Sequence, residues 1–128
     1  MAASRPELAA HAEALQLSFP ELVAKLRRLL GAQLVAYLAS VRQTKAITAW
    51  SGGRQEADDN TKRRLHEAYV VARMLADVET SAVVQACFQG LNPALDDRSP
   101  ARLLREGDLD EVGPQVLGAA RAFLAHGS

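Results

Sequence analysis

Apolar positions along this chain recur at three- and four-residue spacing, the period of helices that bury one face. The strongest run follows Pro20. Leu22, Val23, Leu26, Leu29 and Leu30 share a face, Lys25, Arg27 and Arg28 fall on the others, and Gly31 ends or bends the helix. Ahead of it, residues 5–17 are rich in Ala, Leu and Glu and predict a first helix, with Pro6 acceptable near its start. Leu34, Val35 and Leu38 predict a short helix that gives out around Ser40. Residues 42–50, with Ile47 and Trp50 three apart, predict another, stopped by Gly52 and Gly53. Asp58, Asp59 and Asn60 offer N-caps to a long helix striped by Leu65, Ala68, Tyr69, Ala72 and Leu75. A further helix over 81–88 stops at Gly90, and Ser99-Pro100 caps and opens a short one carrying Leu103 and Leu104, which Gly107 ends. Asp110 is expected to cap the last helix, where Val112, Val116, Leu117, Ala120 and Leu124 face inward and Pro114 stands in or near the first turn. The expected fold is all-α.

Composition agrees. Hydrophobic residues make up 48% of the 128, enough for a core, while aromatics are only 5% and the apolar content is mostly Leu, Val and Ala. The lone Cys87 has no partner for a disulfide or a zinc site, and its apolar surroundings predict a buried thiol. No apolar run is long enough to span a membrane, and no apolar signal segment follows the N-terminus, so a cytoplasmic protein is expected.

Net charge is zero, which excludes a generally basic nucleic-acid coat but not a local patch. Such a patch exists. Between residues 21 and 54, Lys25, Arg27, Arg28, Arg42, Lys45 and Arg54 stand against Glu21 alone, whereas beyond residue 80 acidic residues prevail. Three short helices in succession, the last anchored by Ile47 and Trp50, suggest a helix-turn-helix unit over 20–57. With those two anchors turned inward, Lys45, Thr48 and Ala49 point outward and Arg42 and Thr44 lie at the margins. Arg42, Lys45 and Arg54 suit phosphates or guanine, and Thr44 and Thr48 can hydrogen-bond. The turn after Leu38 is one residue longer than the usual motif, and the outward face carries little base-reading chemistry. A plain three-helix packing unit with a solvated basic face reads equally from these residues.

Signatures of catalysis are missing from the sequence. His11, His66 and His126 are scattered, there is no phosphate-binding loop or nucleophile elbow, and Asp96, Asp97, Asp108 and Asp110 sit where caps and turns explain them. No enzyme activity, metal or cofactor is expected.

Generic helix punctuation leaves part of the C-terminal half unexplained. Asn92-Pro93-Ala94-Leu95, Ser99-Pro100, Leu103-Leu104, Gly107-Asp108 and a helix ending in Ala119-Ala120-Arg121-Ala122-Phe123-Leu124 follow one another in order. In this the chain resembles the C-terminal domain of the Xre/MbcA/ParS antitoxins, and Trp50-Ser51-Gly52-Gly53 resembles the end of that family's divergent helix-turn-helix. The resemblance runs from about Pro20 to the C-terminus. It implies a helix-turn-helix-like unit (20–57), a connecting helix (58–80) and a toxin-binding unit (81–128), with residues 1–19 as an extension outside it. It further implies an antitoxin that blocks a RES-domain, NAD-degrading toxin and binds operator DNA to repress its own operon. The implied toxin-facing residues are Asn92, Arg98, Leu103, Leu104, Arg105, Arg121 and Phe123, together with Leu124. A homodimer is also expected, because Tyr69, Val70 and Val71 surround the long helix with more apolar surface than one neighbour covers. The alternatives are a stand-alone DNA-binding regulator that keeps the C-terminal domain for oligomerisation, and an adaptor that binds neither toxin nor DNA.

Overall fold

A computed structural model describes residues 5–126. Among these the chain forms eight α-helices and no strand: α1 (Arg5–Gln16), α2 (Phe19–Leu30), α3 (Ala32–Ala39), α4 (Lys45–Ser51), α5 (Asp59–Ala76), α6 (Ser81–Gln89), α7 (Pro100–Glu106) and α8 (Leu109–His126). A single 3-10 turn, Pro93–Leu95, stands between α6 and α7. The all-α expectation holds.

Local chemistry sets most of the boundaries. Ser18 and Glu21 form a reciprocal capping box at the start of α2. Asp58, Thr80 and Ser99 each accept a backbone N–H three residues on, which opens α5, α6 and α7. Gly31, at φ 86°, closes α2 and lets α3 set off in a new direction. Two boundaries differ from expectation. The cap of α8 is Asp108, whose side chain accepts the Asp110 N–H and whose carbonyl takes Val112 N–H at 2.8 Å; Asp110 lies inside the helix. Pro114 consequently sits two residues deeper in the helix than expected. The fourth helix starts at Lys45, because Ser40 turns left-handed and the half-buried Val41 is pinned against the core, so 42–44 are spent bringing the chain round.

Packing centres on α5, which contacts α1, α2, α3, α6, α7 and α8. Tyr69, Val70 and Val71 are all buried within the one chain. This corrects the expectation that they form a dimer surface: an all-round apolar helix is what the centre of a bundle requires, and its own neighbours cover it. The N-terminal segment is corrected as well. It is no appendage, since Ala10 and Ala14 of α1 enter the same core as Leu26, Leu65 and Leu104.

Polar contacts add to this apolar seating of α1. Glu7 is 3% exposed and receives two hydrogen bonds from Arg121 of α8, at 2.5 and 2.8 Å, with His11 Nε2 3.6 Å away. Glu13 accepts the Tyr69 hydroxyl of α5 and lies within 3.5 Å of Arg73 and 3.7 Å of Lys25. The Arg121 hydrogen bonds hold the Glu7 carboxyl below its ordinary range despite its burial, and the Tyr69 hydroxyl does the same for Glu13. Burial and that carboxylate together push the Tyr69 phenol up.

Candidate binding surfaces

The expected DNA face is exposed as a group. Ile47 and Trp50 are buried, and Arg42, Thr44, Lys45, Thr48 and Arg54 are all open to solvent, with Ala49 half-buried. The anchoring is specific. Trp50 meets Phe19 of α2 with ring centroids 6.1 Å apart and planes at 59°, and Lys62 Nζ stands 5.6 Å from the Phe19 ring. Exposed Arg27 and Arg28 on α2 add to the local positive charge. α4 packs against α2 and α3, as the three-helix reading requires.

The segment from Asn92 to Arg98 closes into a tight loop. Asn92 Oδ1 accepts Ala94 N–H at 2.9 Å, and its carbonyl accepts the N–H groups of Leu95 and Asp97 at 2.9 and 3.0 Å. Asn92 N–H donates to the Arg98 carbonyl at 3.2 Å. Asp96 and Asp97 both adopt the left-handed conformation that short polar side chains tolerate. The Arg98 guanidinium folds back on this loop, with Nε 3.2 Å from the Leu95 carbonyl and a terminal nitrogen 3.7 Å from Asp96. Gly107 then admits no side chain: a Cβ there would lie 2.5 Å from Val112 Cγ1 and 2.9 Å from the Leu103 carbonyl.

The implied toxin-facing residues do not form one surface. Leu103 and Leu104 are core residues, 4% and 0% exposed, and offer a partner no surface because α7 turns them inward against the bundle. Arg121 is committed to Glu7, which keeps its guanidinium fully charged. Arg105 lies over the Tyr37 ring of α3 at 4.4 Å. Arg98 remains exposed at the loop, and Leu124 is half-buried. Asn92 and Phe123, by contrast, are brought together, since both line one apolar groove of about 450 Å³ between α5, α6 and α8.

Sequence reasoning missed that groove. Its walls come from helices far apart in the chain, and no single helix carries its pattern. One signal was available: no Asp, Glu, Lys or Arg occurs between Glu79 and Asp96. Cys87 lines the groove half-buried rather than fully buried as expected, and desolvation, with Glu79 as a lesser influence, pushes its thiol up.

Among the described residues no three His, Cys, Asp or Glu are grouped to hold a metal ion, and no helix is long and apolar enough to cross a membrane. Fold and surfaces together define an all-α protein with a single hydrophobic core. Comparison with protein families, curated proteins and solved structures returned no match.

Proposed function

We propose that this chain is an antitoxin-type binding protein that blocks a RES-domain, NAD-degrading toxin in the bacterial cytoplasm. The observation that carries the reading is the C-terminal unit. Four of the five elements of the antitoxin-like pattern have a distinct job there: Asn92 knots the loop, Ser99 caps α7, Leu103 and Leu104 fill the core, and Gly107-Asp108 makes the sharp entry into α8. A pattern whose members jointly build one unit is less open to chance than scattered matches. Contact with the toxin falls to side chains at the rim of this unit, first the exposed Arg98 and then the half-buried Arg105 over Tyr37. Co-expression with a RES-domain toxin tests it, reading cellular NAD and recovery of the two chains together. Maintained NAD and stoichiometric recovery are expected; depleted NAD with no complex would refute the assignment.

A second reading, operator binding, is favoured by the exposure of Arg42, Thr44, Lys45, Thr48 and Arg54 around a well-anchored α4. On this reading the protein acts as a DNA-binding regulator, either alongside toxin neutralisation or instead of it.

A further inference from the structure

Of the exposed large apolar side chains, Val78, Val83 and Leu91 gather on or beside α6. Val83 and Leu91 border the groove of about 450 Å³, which runs the length of that helix. α6 supplies one wall, from Ala82 to Leu91, and α8 the other, from Val116 to Phe123, while the buried Val71 and Leu75 of α5 make the floor. A trough between two helices over a third is shaped to take the apolar stripe of one more helix. Its length sets the size of the guest. The nine residues of α6 span about 13 Å, room for apolar side chains at i, i+4 and i+7.

The ends of this trough carry charge of one sign. Asp77 and Glu79 stand on the α5–α6 loop at one end, and Glu79 is near enough to Cys87 to act on its thiol. At the other end Asn92 lines the groove, and its carbonyl accepts the Asp97 N–H, so the loop bearing Asp96 and Asp97 closes it. The cations nearby are taken: Arg98 lies on Asp96, Arg121 on Glu7 and Arg73 on Glu13. Asp77, Glu79 and Asp97 form no ion pair among the described residues.

We propose that this groove binds a short amphipathic helix of another protein, with leucine-like side chains on one face and Lys or Arg at both ends. Charge complementarity selects that occupant. A second copy docking through the same face would bring its own Asp77, Glu79 and Asp97 towards the same acids. A fatty acid or an anionic lipid surface would likewise meet carboxylates at both ends, and a neutral apolar molecule would use the floor and leave the acids idle. The proposal goes beyond the antitoxin reading, which places first contact at Arg98 and Arg105, and it stands or falls independently of it.

Fluorescence anisotropy of the full chain with labelled synthetic helices tests the proposal. The probe is an Ala/Gln peptide of about three turns, with leucines at i, i+4 and i+7 and lysines at both ends, beside versions ending in Gln or Glu. The Lys-ended peptide should bind most tightly and the Glu-ended one least, and added salt should narrow the difference. Asp77→Lys and Glu79→Lys together should shift the preference by about tenfold towards the Glu-ended peptide. Ala86→Trp fills the trough without altering charge and should weaken binding about tenfold or more. Asp77 and Ala86 are exposed and Glu79 makes no ion pair, so these variants should keep the wild-type circular dichroism and Tm. Bound peptide should also slow alkylation of Cys87, which lines the groove. Failure of the Lys-ended peptide to bind, equal affinity for the three peptides, binding indifferent to Ala86→Trp, or Cys87 alkylation unchanged at saturation would each overturn it. So would a second copy seen by sedimentation equilibrium, or a small apolar molecule seen by native mass spectrometry, that the Lys-ended peptide does not displace.

Discussion

Replacing Glu7 by Gln tests how α1 is held to the bundle. The carboxylate is 3% exposed and takes two charge-assisted hydrogen bonds from Arg121, whose side chain keeps 30% of its exposure. Removing one partner of a fully buried pair costs about 3–5 kcal/mol. Two features reduce that figure. Water can re-solvate the partly open guanidinium, and the Gln carbonyl still accepts one of the two N–H groups. A loss of about 1.5–3 kcal/mol remains, in line with hydrogen bonds to charged groups. At this chain length that corresponds to a fall in Tm of about 5–12 °C.

The dependence on pH has a definite sign. The folded-state pKa of Glu7 lies below the ordinary 4.5, so the unfolded chain binds the proton more tightly. Its contribution is complete above 4.5 and is lost as pH falls through the lower folded value. Gln does not titrate, and Glu13 titrates in both proteins, so the gap between wild type and Glu7→Gln should close as pH drops from 7 to 3. Urea unfolding of both proteins across that range is the assay. A gap under about 0.5 kcal/mol at pH 7, or one that stays constant down to pH 3, would refute the polar-clamp account of α1.

The glycines of the C-terminal half should respond in opposite directions. Gly107→Ala forces a Cβ to 2.5 Å from Val112 and should destabilise by about 2–3 kcal/mol, whereas Gly118→Ala, with nothing within 4 Å, should stabilise α8 by up to about 1 kcal/mol; thermal melts of both check this. If the α4 face binds DNA, affinity should fall with salt at a log–log slope of about −0.9 per phosphate contacted, and Lys45→Glu should weaken binding while leaving the melt unchanged; gel-shift titration at several salt concentrations reads both. If the chain neutralises a RES-domain toxin, Arg98→Glu should release that toxin in the co-expression assay with the fold intact, and full retention of neutralisation would remove the loop from the toxin surface.

Most helix boundaries were legible because they are set by neighbours in sequence: Asp58, Ser99-Pro100, Gly90 and Gly107 act over one turn. What failed depended on neighbours in space. Residues 1–19 stand apart in the sequence because they lie outside the resemblance; the polar part of the seat of α1 is built by Arg121 and Tyr69, which lie far along the chain. Tyr69, Val70 and Val71 were rightly read as needing cover, but periodicity does not say whether that cover comes from the same chain or a second one. Leu103 and Leu104 show the converse, since motif membership does not separate residues that build a unit from residues it presents. At the α4 surface the reading fared better. Inward Ile47 and Trp50 fix by helical geometry which neighbours face out, so exposure there followed from local spacing.

α2 packs against α4 on one side and against α6 on another, and Gln85 of α6 donates to the Leu29 carbonyl at 3.2 Å. The basic face and the charge-free face therefore share one rigid strut. If seating α6 favours one position of α2, it biases the presentation of α4 by the same free energy with which occupancy of α4 biases α6. Any such bias would pass through α2, which the buried row of Leu22, Val23, Leu26 and Leu30 seats in the core.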